Sequence, residues 1–212
     1  MSRALIVIGG GEHARVVIDA ARTRPETWSV VGFIDQQSRP TLVDDWNVPW
    51  LGDDAAGLAL ARARRDVSFV IGIGGAEVRE AMASAFAPAA PSWATVVHAA
   101  AVVSARATLA PGAVVLATAV VGPGARVGEH AIVNNGAIVE HDVELGAFTH
   151  VAPRAVIGGG ARVGARVFLG LGCAVRDHVT IGDGARVAMG AAVVGSLAAG
   201  AKVRGIPARP DR

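Results

Sequence analysis

Across residues 97–198 the aliphatic positions return every six residues. Val97, Val103, Leu109, Val115, Val121, Val127, Val133, Val139, Leu145, Val151, Ile157, Val163, Leu169, Val175, Ile181, Val187 and Val193 open seventeen consecutive sixes without an insertion. The fifth place of each six is mostly Ala, with Val143, Thr149, Val167, Cys173, Val179 and Leu197 as variants, and Gly recurs at the second place. A period of six is neither the two of a flat strand nor the 3.6 of a helix. It predicts a parallel β-helix in which each six supplies one short strand and one corner, and three sixes close a triangular coil. The first-place aliphatics then stack inward, the fifth-place Ala fills the narrow space beside each corner, and glycine relieves the bend where a Cβ would be crowded. Residues eighteen apart become stacked neighbours.

Residues 1–96 follow another pattern. A continuous apolar run at residues 4–8 reads as a buried strand, Gly9-Gly10-Gly11-Glu12-His13-Ala14 as a glycine turn, and the periodicity over residues 15–22 as a helix. Gly9, Gly11 and Ala14 fit G-x-G-x-x-[GA], in which glycines permit a tight turn and let a phosphate approach backbone N–H groups at the positive end of a helix. A strand at residues 28–34 ends in Asp35, where Rossmann-type domains place an acid for ribose hydroxyls. A helix at 53–65, a buried strand at 67–73, a second glycine turn Gly72-Ile73-Gly74-Gly75, a helix at 76–86 and a strand at 92–97 complete this region. The first glycine turn has two readings, a phosphate cradle or a turn needed only for close strand–helix packing. Residues 1–96 are too few for a dinucleotide enzyme with its own catalytic domain, which favours a mononucleotide-type site. The expected organisation is an α/β Rossmann-like domain at 1–96 and an all-β solenoid at 97–212, with Pro88 and Pro91 at the junction.

Composition removes several classes. The chain is 52% hydrophobic, and residues 81–105 carry no formal charge over a length that could cross a bilayer. Pro88, Pro91 and His98, the Ala-rich composition and the entry into the six-residue phase at Val97 argue against membrane insertion. Residues 1–8 hold no cleavage-type pattern, so no secretion signal is expected. The single Cys173 falls at an inward fifth place and reads as a core thiol rather than a nucleophile, with the cytoplasm as the expected compartment. The formal charge of +2 is unevenly shared, nine Arg against eleven acids in residues 1–96 and eleven Lys and Arg against seven acids in 97–212. With 4% aromatics and no basic cluster, nucleic acid is not an expected partner, whereas a mildly basic solenoid suits a small anionic ligand such as coenzyme A.

The place in the six sorts the histidines, His13, His98, His130, His141, His150 and His178. His141 occupies a third place, an outward corner, between Glu140 and Asp142. Eighteen residues on, Gly159 lies within Gly158-Gly159-Gly160 and leaves open space beside the imidazole, a slot that suits a thin thioester arm. The residues alone leave two readings of His141, a solvated corner residue or a general base whose imidazolium Asp142 stabilises.

The phase-locked hexapeptide region closed by Lys202-Val203-Arg204-Gly205-Ile206-Pro207-Ala208-Arg209 resembles the left-handed β-helix acyltransferases, whose last coil ends in V-x-G-x-P-A-[KR]. Left-handed winding is implied by this resemblance; it runs against the usual right-handed crossover rule. Together with the G-x-G-x-x-[GA] turn and its His13, the whole chain is similar to sugar acetyltransferases of bacterial surface-glycan pathways: bacillosamine-pathway N-acetyltransferases, GDP-perosamine N-acetyltransferase and the sialic-acid O-acetyltransferase-like group. The resemblance implies acetyl-CoA as co-substrate and a nucleotide-linked 4-amino-4,6-dideoxy sugar as acceptor, GDP-perosamine before a UDP-linked sugar, with O-acetylation of a sialic-acid-type sugar as the alternative. It implies a homotrimer with the active site between adjacent solenoids. It makes His141 the catalytic base and Asp142 the acid that raises its basicity, and His150 the residue that meets acetyl-CoA. Gly159, Leu171 and Met189 would line the pantetheine path. Lys202, Arg204 and Arg209 would meet phosphates, although these three also read as a solvated tail. Gly11, Glu12, His13, Asp35 and Gly74 would surround the nucleotide sugar; Gly10 and Glu12 stand where some relatives have Ala and a smaller residue. γ-Type carbonic anhydrases share the solenoid and bind zinc through histidines, two of them five residues apart. The solenoid histidines here are separated by 32, 11, 9 and 28 residues, so no metal is expected.

Overall fold

The computed structural model describes residues 2–210, and the chain divides into two compact units, Met1–Ala99 and Ala100–Arg212. In the first, β1 (Arg3–Ile8), α1 (Glu12–Arg22), β2 (Trp28–Ile34), α2 (Asp54–Ala63), β3 (Val67–Ile71), α3 (Ala76–Phe86), β4 (Ser92–Trp93) and the short β5 (Val96–Val97) follow in order. Strands β1 to β4 form a parallel sheet in the order β2-β1-β3-β4. Every residue of β3 is buried, as expected of a strand covered on both faces. Ile6, Ile8, Ile34, Phe69, Ile71 and Phe86 form its core. Helix α1 turns Ala14, Val17, Ile18 and Ala21 inward at helical spacing.

Several boundaries differ from expectation: β1 begins one residue early, at Arg3, and the helix expected at 53–65 spans Asp54–Ala63, because Asp53 is its N-cap and accepts the Ala56 N–H. Helix α1 starts at Glu12, three residues early, because Gly11 serves as its N-cap; apolar periodicity reports only the buried face and is silent about Glu12. Strand β3 stops at Ile71, two residues short, where the chain passes so close to α1 that a Cβ on Gly72 would lie 2.9 Å from Ala14 Cα. The strand expected at 92–97 is two short pieces. Between β2 and α2 a single π-type turn, Thr41–Asp45, had no sequence signal.

The second unit is a left-handed β-helix. Sixth- and first-place residues form two-residue strands, and from Val102 to Val175 each strand pairs in parallel with the one eighteen residues later, as Arg126 with Glu144, Ile132 with His150 and Ile138 with Val156; in the last coil the spacing falls to sixteen, Arg186 pairing with Lys202 and Ile181 with Leu197. Three flat faces result. One carries Thr108, Arg126, Glu144, Arg162 and Thr180 outward; a second carries Val102, Val120, Ile138, Val156, Ala174 and Ala192; the third includes Ile132, His150, Phe168, Arg186 and Lys202. First-place Val115, Val133, Val139 and Ile157 and fifth-place Ala113, Ala119, Ala125 and Ala131 are sealed from solvent. Thr149 is the polar exception, and it is satisfied: its Oγ1 donates to Gly164 O at 2.7 Å and accepts from Val167 N at 3.3 Å. Cys173 is buried, and that burial pushes its thiol up to about 12, so it packs as an inert core residue.

Glycine does two jobs at the corners. At the second place it lets one coil close on the next; a Cβ on Gly146 would lie 2.5 Å from Ala165 N and from Gly164 C. At the fourth place the backbone is left-handed, as at Gly124 (φ 75°) and Gly136 (φ 64°), and Asp142 (φ 58°) and His178 (φ 53°) hold the same conformation. The sequence pattern conveyed the first job but not the second.

Gly146→Ala is expected to lower the melting temperature by several degrees, since forcing a methyl against backbone costs about 1–3 kcal/mol. Gly195→Ala, where a Cβ meets nothing within 4 Å, is expected to leave it unchanged. Equal melting curves for the two variants would refute this account of the corners.

Candidate active site

His141 sits at the corner between the Arg126 face and the Val102 face. The left-handed backbone of Asp142 is fixed by its N–H, which donates to Pro123 O at 3.0 Å. Its carboxylate swings back so that Oδ2 lies 3.0 Å from His141 Nδ1. Two glycines make room: a Cβ on Gly124 would strike the Asp142 carboxylate, and one on Gly159 would lie 2.5 Å from His141 Cε1. Because a carboxylate only accepts, the contact assigns the ring proton to Nδ1 and leaves the lone pair on Nε2, the edge that lies over Gly159. The hydrogen bond to Asp142 raises the His141 pKa above its ordinary value, against a smaller lowering by burial, and the charges of Asp142 and Glu140 add to the rise. The pair is solvated, with side chains 55% and 71% exposed.

A donor that no side-chain pattern could reveal lies beside Nε2. Gly160 N donates to His141 O (2.9 Å) and Gly159 O accepts from His178 N (3.0 Å), but the Gly159 N–H makes no hydrogen bond among the described residues. At two other corners the equivalent N–H is capped from the next coil, Ala117 by Asn135 Oδ1 at 3.1 Å and Ala165 by Asp183 Oδ1 at 2.9 Å. An open backbone donor next to an imidazole whose Nε2 can take up a proton is an arrangement able to stabilise a developing oxyanion.

The remaining solenoid candidates fall elsewhere. His150 projects from the third face, accepts from Asn134 Nδ2 (3.1 Å) and meets the Phe168 ring edge-on at 5.5 Å. Leu171 and Met189, exposed at 49% and 73%, stand eighteen residues apart on the edge between that face and the Val102 face. Lys202 and Arg204 point outward from the last parallel strand, and Arg209 pairs with Arg204 on an antiparallel return. One solenoid therefore brings together His141, Asp142 and Gly159, and separately Lys202, Arg204 and Arg209, but holds His150, Leu171 and Met189 away from His141.

In the first unit the chain leaves β1 toward β2 on one side and β3 on the other, so the order β2-β1-β3-β4 puts the switch point at the carboxyl ends of β1 and β3, where α/β sheets bind ligands. Both glycine turns are there. Gly9 has φ 100°, and a Cβ on it would lie 2.7 Å from Ile73 Cγ1, whereas a Cβ on Gly11 would meet nothing within 4 Å and faces open space. Asp35 takes the Gly10 N–H on Oδ2 (2.7 Å) and Arg39 on Oδ1 (2.9 Å). Burial alone would raise its pKa, but the Arg39 guanidinium and the N–H groups of Gly10 and Gln37 outweigh burial and hold it below the usual carboxylate value. In this structure Asp35 thus fixes the first turn. A cavity of about 200 Å³ opens between Gly10, Gly11, Glu12, Arg15, Arg39 and Thr41. Half-buried His13 lies in the first turn of α1. Gly74 is held by Arg79, which is 1% exposed and donates to Ile73 O (3.0 Å) and Gly74 O (2.8 Å). Burial brings Arg79 down to about 10, opposed by the charge of Glu77, so it remains a cation at neutral pH. Arg15, Arg39 and Arg79 had no motif to mark them. Among the described residues no group of three or more His, Cys, Asp or Glu could hold a metal ion, and no helix is long and apolar enough to cross a membrane.

Residues 4–86 match the PglD N-terminal domain family. Over its whole length the chain is 30% identical to the acetyltransferase domain of PglB from Neisseria gonorrhoeae FA1090, solved in complex with acetyl coenzyme A, covering 100% of both chains with a TM-score of 0.90. It is 33% identical to the H141N mutant of perosamine N-acetyltransferase from Caulobacter crescentus, solved with CoA and GDP-perosamine, covering 99% of this chain and 97% of that one with a TM-score of 0.89. WeeI from Acinetobacter baumannii AYE, 20% identical with a TM-score of 0.61, shares the fold. No curated protein sequence matches. The fold and these relatives together identify an acetyltransferase built on a left-handed β-helix. The chain belongs to the nucleotide-sugar N-acetyltransferase family represented by PglB and perosamine N-acetyltransferase.

Asp142→Asn is expected to lower the His141 pKa, read by NMR titration of the imidazole protons, because the imidazolium loses a hydrogen-bonded anion. An unchanged titration would mean that the 3.0 Å contact does not tune the ring.

Proposed function

We propose that this enzyme transfers an acetyl group from acetyl-CoA to the 4-amino group of a nucleotide-linked 4-amino-4,6-dideoxy sugar, with GDP-perosamine as the favoured acceptor. The observation that carries this reading is the His141–Asp142 pair over Gly159, whose N–H is open beside Nε2. The choice of sugar is supported by the relative at 33% identity solved with CoA and GDP-perosamine. The first unit holds the nucleotide sugar at its switch point, through Gly11, Glu12, His13 and Gly74, with Asp35 setting the turn. The amine attacks the thioester carbonyl carbon while His141 Nε2 accepts its proton, and Asp142 stabilises the imidazolium. The tetrahedral oxyanion takes the Gly159 N–H. Collapse breaks the carbon–sulfur bond, the imidazolium returns the proton to the thiolate, and amide and free coenzyme A leave. We place the reaction in the cytoplasm, upstream of surface-glycan (O-antigen) assembly.

The same reading requires more than one copy. Within a single solenoid His150, Leu171 and Met189 cannot reach a thioester held at His141, whereas the edge of one copy set against the third face of another brings both groups to one ligand. The working unit is a homotrimer, the closed symmetry that gives every copy the same contact.

Thiol release from acetyl-CoA against a panel of GDP- and UDP-linked 4-amino sugars is expected to select GDP-perosamine, and His141→Asn to lower kcat by about 10²-fold or more, the usual range for a general base. A variant that keeps most of its rate at pH 7 would remove His141 from the mechanism; a flat response across the panel would remove the sugar assignment. Sedimentation equilibrium at micromolar protein is expected to give three times the 21.4 kDa chain mass, and a monomer would rule out the shared site.

A further inference from the structure

The corner that carries His141 continues for another coil. Third places stack as His141, Gly159 and Asp177, and fourth places as Asp142, Gly160 and His178. Each glycine of Gly158-Gly159-Gly160 makes way for a different neighbour. A Cβ on Gly158 would lie 2.6 Å from Asp177 N, one on Gly159 would strike the Nε2 edge of His141, and one on Gly160 would lie 2.6 Å from His178 Nδ1 and 2.7 Å from its Cε1. Two imidazoles therefore lean over one Gly159–Gly160 peptide, His141 from the coil before it and His178 from the coil after. The peptide is fixed from both sides, because Gly160 N donates to His141 O at 2.9 Å and His178 N donates to Gly159 O at 3.0 Å.

Each ring has a carboxylate near the nitrogen that faces away from the glycines. Asp142 Oδ2 lies 3.0 Å from His141 Nδ1, and Asp177 Oδ2 lies 3.9 Å from His178 Nε2. When charged, the His178 ring faces Asp177 through Nε2 and presents Nδ1–H over Gly160. The fold has no need of this ring. Glycine holds the same left-handed fourth place at Gly124, Gly136 and Gly172, whereas His178 adopts it at φ 53° with a side chain 74% exposed.

We propose that His178 is a further catalytic residue, whose Nδ1–H donates a hydrogen bond to the thioester sulfur and stabilises the coenzyme A thiolate as the carbon–sulfur bond breaks. This rests on the transfer reading above, in which the carbonyl oxygen takes the Gly159 N–H, and it fixes the direction of the thioester, with sulfur toward the coil of His178. The sulfur is two bonds from that oxygen, a shorter distance than the about 3.8 Å between consecutive Cα atoms, so a thioester laid along the Gly159–Gly160 peptide reaches both donors. His141 takes the amine proton, and the electron pair of the carbon–sulfur bond goes to sulfur. His178 holds that charge until the His141 imidazolium returns the proton, and no proton leaves His178. An imidazolium beside a thiolate lowers the pKa of the thiol, and a thiol of lower pKa is the better leaving group.

The composition of the chain makes the thiol directly readable. It has no Tyr, and burial pushes its one thiol, Cys173, up to about 12, so at lower pH the ultraviolet thiolate absorbance of the complex with coenzyme A reports the coenzyme alone. Bound to wild type, coenzyme A is expected to ionise with a constant about tenfold larger than when bound to His178→Gly, one unit of pKa. His178→Gly puts at this corner the residue that other fourth places use, so the coil is expected to form. With GDP-perosamine as acceptor its kcat is expected to fall about tenfold while the KM for acetyl-CoA stays within twofold, since the hydrogen bond strengthens only as charge develops on sulfur. His178→Asn, which tolerates the left-handed backbone and keeps a neutral donor, should recover part of kcat. Equal thiol ionisation in wild type and His178→Gly, or an unchanged kcat, overturns this inference and leaves the transfer reading intact. A wild type that binds no coenzyme A overturns both.

Discussion

Backbone hydrogen bonds from each coil to the coil eighteen residues later carry the solenoid, as in Ile132 N to Thr149 O, Ile138 N to Ala155 O and Glu144 N to Ala161 O, at 2.9, 2.9 and 3.0 Å. A corner residue cannot slide along the axis without breaking this ladder, so any side chain placed on a corner is held against a fixed partner in the next turn. His141 stays over Gly159 for this reason. The ladder also imposes costs. At corners such as Gly122, Gly146 and Gly164 the coils approach so closely that a Cβ would meet backbone of the next coil, and the fourth-place residues from Gly112 to Gly190 turn left-handed, a conformation that costs a non-glycine residue about 1 kcal/mol or more. Asp142 accepts that cost, and the left-handed turn is what brings its carboxylate back to the imidazole of the preceding residue.

The electrostatics of that corner are tuned in one direction. A neighbouring carboxylate makes His141 a stronger base but leaves less of it deprotonated at neutral pH; for the base role proposed for His141, that balance is favourable only while the pKa stays near the working range. Solvent does the limiting, because both side chains are more than half exposed in the single chain and water screens the pair. Enclosure by a second copy would strengthen the interaction between Asp142 and the imidazolium and weaken the competition from water.

The first unit uses charge differently, beneath the backbone of its two glycine turns. Asp35 accepts the Gly10 N–H from one glycine turn, and Arg79 donates to the Ile73 and Gly74 carbonyls of the other. An acceptor thus fixes one turn by its donor, and a donor fixes the second by its acceptors. Glycine turns have little stiffness of their own, and these contacts supply it at the point where the sheet leaves a crevice.

The amino-acid sequence by itself determined the period, the inward residues, the three-sided coil and the strand–turn–helix opening of the first unit. These depend on burial and chain stiffness, which hydrophobic spacing records residue by residue. It also placed His141, Asp142 and Gly159 on one corner, since a repeat of six converts a separation of eighteen into contact. Only the tertiary structure decided the rest. The open Gly159 N–H is backbone and has no letter in the sequence; Arg39 and Arg79 act through contacts with turns that no motif encodes. His150 lies nine residues from His141 and yet on a different face, because one and a half repeats carry the chain half-way around the prism. The stacking of Arg186 on Phe168 likewise arises only when two residues eighteen apart are laid side by side on neighbouring strands and their side chains extend along the same face.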